Sequence, residues 1–196
     1  MRKTVSALII MFLVWIGYVA WPLYDLTALV RAIDARDVNT VVRYVDFERV
    51  RASLTEQIAS AYMRVSGTPT SPLAQQAVVV GLSLADPVIR RLVSPEALSD
   101  LLTVGWPVKV VPDPPPPGTL GISADTLGTA WQIFAASHYG IGRFEVSGPA
   151  VLPAPKRFRL TFRLLAWRWR LVGITLPENV QNVLANEVIK IMRERR

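Results

Sequence analysis

The chain has 196 residues, 51% of them hydrophobic, and carries 22 Lys+Arg against 15 Asp+Glu, one histidine and no cysteine. Without cysteine there is no disulfide, thiol nucleophile or cysteine-ligated metal, and a single histidine makes a transition-metal site improbable. The net charge of +7 includes Arg2 and Lys3; without them 20 basic face 15 acidic residues, an excess that suits anionic neighbours such as lipid headgroups without demanding nucleic acid.

After Arg2 and Lys3 the next charge is Asp25, and the intervening TVSALIIMFLVWIGYVAWPLY is 21 residues long. As a helix it measures roughly 30 Å, enough to cross a hydrocarbon core. The rival is a cleaved secretory signal, whose apolar stretch runs about 7–15 residues before a small-x-small site. Here the only such site, Tyr18-Val19-Ala20, has a bulky ring where a small residue is wanted, and the apolar run continues to Leu23. Trp15, Tyr18 and Trp21 gather at the far end, as aromatic rings do at headgroup level. The expectation is an uncleaved anchor over residues 1–24. The basic pair before it then leaves the N-terminus in the cytoplasm and exports the rest, into the periplasm for a bacterial inner membrane.

The remaining length fits one domain over 25–177 with a closing helix over 178–196. Leu26, Leu29, Val30 and Ile33 share one helical face. Asp37 is placed to cap a helix over Val38 to Tyr44, and Asp46 one that carries Val50, Leu54 and Ile58 to about Met63. Leu73 to Val93 reads as soluble helix bent at Asp86-Pro87. Ser94-Pro95-Glu96 opens another over Pro95 to Leu102.

Residues 104–122 read as a proline-rich connector around Pro114 to Pro117. Ser123 or Asp125 caps a further helix with Leu127, Trp131 and Phe134 on one face. Then the period changes. Phe144, Val146 and Val151 mark a first strand region, and Phe158, Leu160, Phe162 and Leu164 alternate with Arg159, Thr161 and Arg163. Trp167, Trp169 and Leu171 alternate with Arg168 and Arg170, after a tight turn at Leu164 to Ala166. Trp131, Trp167 and Trp169 are assigned to the core. Pro177-Glu178 opens the last helix, whose basic end suits the helix dipole. The fold class is therefore α+β, several helices packed on one face of an antiparallel sheet of three or four strands. Helices against a curved sheet are similar to the cone-shaped, cystatin-like superfold, a likeness that says little of function.

Residues 31–57, RAIDARDVNTVVRYVDFERVRASLTEQ, and 158–177, FRLTFRLLAWRWRLVGITLP, resemble two signature regions of a bacterial family known only as domain of unknown function 2939, DUF2939. Its members typically begin with a membrane-anchoring segment and end in a strand like Trp169-Arg170-Leu171. The resemblance would cover residues 22–177. It implies no activity, so it brings no catalytic residues, and the proline run and charged closing helix look peculiar to this chain.

The sharpest candidate site is basic: Arg159, Arg163, Arg168 and Arg170, with Arg157 nearby, on the sheet face opposite the Phe/Leu/Trp core. The plain explanation is a solvated face that discourages edge pairing. The functional one is an anionic lipid or envelope protein partner close to the anchor. His138 lies at a helix-to-strand junction without a nucleophile and carboxylate motif around it. With Tyr139 it would supply the polar groups of a small-molecule pocket between helices and sheet, the alternative to a non-catalytic binding or scaffold module. A hollow interior would favour the pocket, a filled aromatic core the module. No cofactor, metal or catalytic residue is expected.

Overall fold

The computed structural model describes residues 2–67, 93–111, 113–116, 119–123, 126 and 130–194, with the side chains of Arg2, Lys3, Ala130, Trp131 and 191–194 excepted. The helix expected over Leu73 to Val93 falls almost wholly outside these residues, as do the Asp125 cap, Leu127, the Trp131 side chain and the end of the proline run.

Helix α1, Arg2–Asp34, runs without a break and has Pro22 inside it. It is long and apolar enough to cross a membrane. Its side chains from Val5 to Ile16 are exposed, whereas Leu26, Leu29, Val30 and Ile33 are buried. That buried set is the face expected from the 3.6-residue spacing. One helix thus carries the apolar run and opens the core.

Helix α2, Val38–Tyr44, is capped by Asp37, which accepts from the Thr40 amide. These bonds from Thr40, its hydroxyl first, hold the Asp37 carboxyl below the usual carboxylate range. Helix α3, Phe47–Ser66, starts at Asp46, which accepts from the Arg49 amide, and ends at Gly67 with φ +69°. Helix α4, Pro95–Val104, has Ser94 as its cap and Pro95 in its first turn. All three starts are where the capping residues put them, because each side chain satisfies an amide the helix leaves orphaned. A short α5 covers Ala130–Ala135, and α6, Glu178–Glu194, closes the chain.

The sheet is a four-stranded antiparallel meander, β1 Ser137–Gly140, β2 Arg143–Gly148, β3 Phe158–Leu165 and β4 Arg168–Thr175. Phe144, Phe162 and Leu171 stand opposite one another on the buried face, and a bulge between Thr161 and Phe162 shifts the β3–β4 register. β1 was not anticipated: four residues ending in glycine carry too little alternation to announce a strand. The turn also differs from expectation. It is Ala166-Trp167, so Trp167 leaves the core face and is 79% exposed, while Trp169 is buried as expected.

The outer edge of β4 is covered rather than left open. Buried Asp25 of α1 accepts from the Trp169 amide at 3.2 Å, and the Asp46 amide donates to Leu171 O at 2.9 Å. Gln57 of α3 donates to Ile174 O at 2.7 Å and accepts from the Leu176 amide at 2.9 Å. Side chains from two helices thus replace the missing fifth strand, which prevents edge-to-edge pairing. Between helices and sheet the space is filled by Phe144, Phe158, Phe162 and Trp169 with the apolar faces of α1, α3 and α6.

Candidate functional site

The polar face of the sheet is positive because strand alternation puts every second residue there. Arg143 of β2 is directly opposite Arg163 of β3, and Arg163 opposite Arg170 of β4. Three arginines therefore form one cross-strand row. Like charges directly opposite are destabilising unless an anion intervenes. Among the described residues the carboxylate bonded to the row is Glu145, which takes Arg143 Nε at 2.9 Å and the Thr161 hydroxyl at 3.5 Å. Arg163 has no ion pair among the described residues.

The expected arginines do not all join this row. Arg168 is exposed at the start of β4, opposite Leu165 and next to the turn. Arg159 is exposed on β3 but lies four residues from Arg163, about 13 Å along a strand; it pairs with Ser147 and Thr175. Arg157 is structural, donating to Leu152 O at 2.6 Å and Ala150 O at 2.9 Å. Arg143 was missed. Its signal was present in Arg143-Phe144-Glu145-Val146, whose alternation already places it on the polar face.

His138 and Tyr139 are successive residues of β1 and so face opposite ways. His138 is exposed, opposite Glu145. Tyr139 turns into an aromatic chain, its ring 5.0 Å from Phe144 and 5.8 Å from Phe134. Neither lines the cleft of about 480 Å³ beside α2 and α4, whose walls include Arg36, Val41, Ser99 and Lys109. Among the described residues no group of three or more His, Asp or Glu side chains is placed to hold a metal ion.

The Tyr139 hydroxyl is buried with no hydrogen-bond partner among the described residues, and burial raises its pKa above the ordinary tyrosine value. Its neutral form therefore supports the fold below that ordinary value, and the support is lost as pH climbs through the raised one. Tyr139→Phe removes an unsatisfied group, so its unfolding free energy by urea titration should equal or exceed the wild type's, by up to about 1 kcal/mol. It should also abolish the alkaline loss. A clear drop in stability at neutral pH would mean that the hydroxyl does serve a partner.

At the turn end of the sheet the strands meet α1. The Tyr18 hydroxyl donates to Gly140 O at 3.2 Å and accepts from the Gly142 amide at 3.0 Å. Its ring packs edge-on against Trp169, centroids 6.2 Å apart.

This junction joins the apolar run to the sheet, and the run lies partly within a family match. Residues 11–101 match the family model for protein of unknown function DUF2939. This is the family the sequence resembles. The DUF2939 match takes in α1 from Met11 onward together with α2, α3 and most of α4. The second stretch of the resemblance, 158–177, lies outside it, so the sheet and its arginines draw nothing from DUF2939. No curated protein and no solved structure matches the chain.

Proposed function

We propose that this chain is a single-pass bacterial inner-membrane protein whose body lies on the periplasmic side and acts as a non-catalytic binding or scaffold module. Its basic sheet face engages anionic lipid headgroups or an anionic envelope partner. The observation that carries this reading is the row Arg143–Arg163–Arg170, three arginines opposite one another across three strands, of which Arg143 is bonded to the carboxylate of Glu145. Such a row is costly alone and is relieved by a bound anion.

The anchor reading is supported by the continuity of α1 and by Tyr18. Tyr18 precedes the position after Ala20 where a signal would be cut, yet its hydroxyl is bonded to the β1–β2 turn. Cleavage there would strip the body of a packed ring. The filled aromatic core also favours a binding module over a pocket shared by His138 and Tyr139, which sit on opposite faces of β1.

The test uses the full chain in zwitterionic nanodiscs, titrated with short-chain phosphatidylglycerol and, separately, phosphatidylcholine. Phosphatidylglycerol should bind preferentially, and added salt should weaken it. Each basic residue near an anionic surface contributes about 1 kcal/mol. Replacing Arg159, Arg163, Arg168 and Arg170 together by Gln should therefore lower the affinity by two orders of magnitude or more, about 3 kcal/mol. Equal affinity in the two proteins would remove the proposal.

A further inference from the structure

The fully exposed part of α1 is too short to cross a bilayer. A hydrocarbon core of ~30 Å takes about 20 helical residues. The stretch Thr4 to Gly17, exposed throughout, supplies 14, which is about 21 Å at ~1.5 Å per residue. The remaining ~9 Å of the core has to come from Tyr18 to Leu23. That stretch packs on the body: Tyr18, Trp21 and Leu23 lie against the core cluster, and Tyr18 holds the β1–β2 turn at Gly140 and Gly142. The depth at which the span ends is therefore the depth of the sheet's turns.

Those turns carry unburied apolar side chains. Ile141 protrudes fully exposed between two glycines, and Trp167 is 79% exposed in the adjacent β3–β4 turn. The turns are neighbours, since the Leu164 amide donates to Gly142 O at 3.1 Å. Trp167 has φ +62° and Ala166 φ +48°, a conformation costly for a bulky residue and usually given to Asn-Gly in two-residue hairpin turns. A large ring held in strained backbone and turned to the outside gains the body little burial. Indole side chains favour the interface between headgroups and acyl chains. Arg143 and Arg168 stand in the first residue pair above their turns and Arg163 and Arg170 in the third, at the level phosphate groups would occupy.

We propose that the turn end of the sheet is seated in the bilayer that α1 crosses, with Ile141 and Trp167 inserted at the interface and Arg143, Arg163, Arg168 and Arg170 at the phosphate layer. The proposal rests on α1 as a membrane span but not on anionic lipid. The body is thereby held at three points, one helix and two hairpin ends, and presents one fixed side to the membrane.

The chain has no cysteine, so single cysteines placed at Leu8, Ile141, Val151 and Trp167 can each carry an environment-sensitive fluorophore. Val151 is exposed in the β2–β3 connection, at the opposite end of the meander. In full-chain nanodiscs of zwitterionic lipid, probes at 8, 141 and 167 should be blue-shifted and quenched several-fold by brominated lipid, and the probe at 151 should not. Quenching at 141 and 167 no greater than at 151, with position 8 still quenched, overturns this proposal and leaves the anchor standing. A probe at 8 that is as wet as 151 overturns both. Ala166→Asn combined with Trp167→Gly supplies the favoured turn, so this variant should melt no lower than wild type in detergent. In nanodiscs it should lose part of the quenching at 141; undiminished quenching there would overturn the role of Trp167.

Discussion

Trp169→Ala is expected to cost the fold about 3–5 kcal/mol, the range for truncating a buried aromatic side chain. Trp169 is 1% exposed and links two parts of the molecule. Its ring meets Tyr18 of α1 edge-on at 6.2 Å and Phe144 of β2 at 6.4 Å, while its backbone amide is bonded to Asp25. Alanine would keep the amide bond and lose the ring contacts. The indole N–H has no partner among the described residues, so Trp169→Phe surrenders area but no hydrogen bond and should cost about 1–2 kcal/mol. Urea unfolding of the full chain in mild detergent separates the two variants. An alanine variant within about 1 kcal/mol of wild type would mean that the ring is not the wedge between helix and sheet.

The second large effect is expected at Gln57. Its amide is held in place by Ser53, 3.0 Å to the carbonyl and 3.1 Å to the hydroxyl, and spans Ile174 O and the Leu176 amide. Gln57→Leu conserves bulk but leaves both backbone groups without partners, at about 1–3 kcal/mol each; a total near 2–4 kcal/mol is expected, with the lower end set by water reaching part of the edge. Gln57→Glu keeps the acceptor for Leu176 and loses the donor to Ile174, so it should fall between. Amide exchange gives the local reading: the Leu176 amide should exchange markedly faster in Gln57→Leu at positions where the core of β3 is unchanged. If its exchange is unaltered, α3 does not guard this edge.

Local chemistry was legible in the sequence and long-range pairing was not. Asp37, Asp46 and Ser94 announced three helix starts because capping is a contact within three residues. The alternation in 158–164 announced a strand and its polar arginine face. Trp167 was misplaced because alternation continues through a two-residue turn in the sequence, whereas the backbone there takes positive φ and swings the ring outward. β1 was invisible because its stability comes from pairing with β2 and from Tyr18, 122 positions away from Gly140. Gln57 looked like one more polar residue on an amphipathic helix; its role depends on β4 lying alongside, a tertiary fact. The candidate site was half legible. The excess of arginines could be counted, but only the register sets Arg143, Arg163 and Arg170 side by side and sends Arg159 farther along the strand.

The unbroken course of α1 from the apolar run into the core limits what this body can reach. A flexible leash would let a folded head sample a hemisphere whose radius grows with the square root of the leash length. Here no leash exists, so the head has almost no search volume. In the membrane arrangement proposed above, any tilt or rotation of the span would swing the sheet with it as one lever, and the molecule would meet only what comes to the lipid surface within its own height.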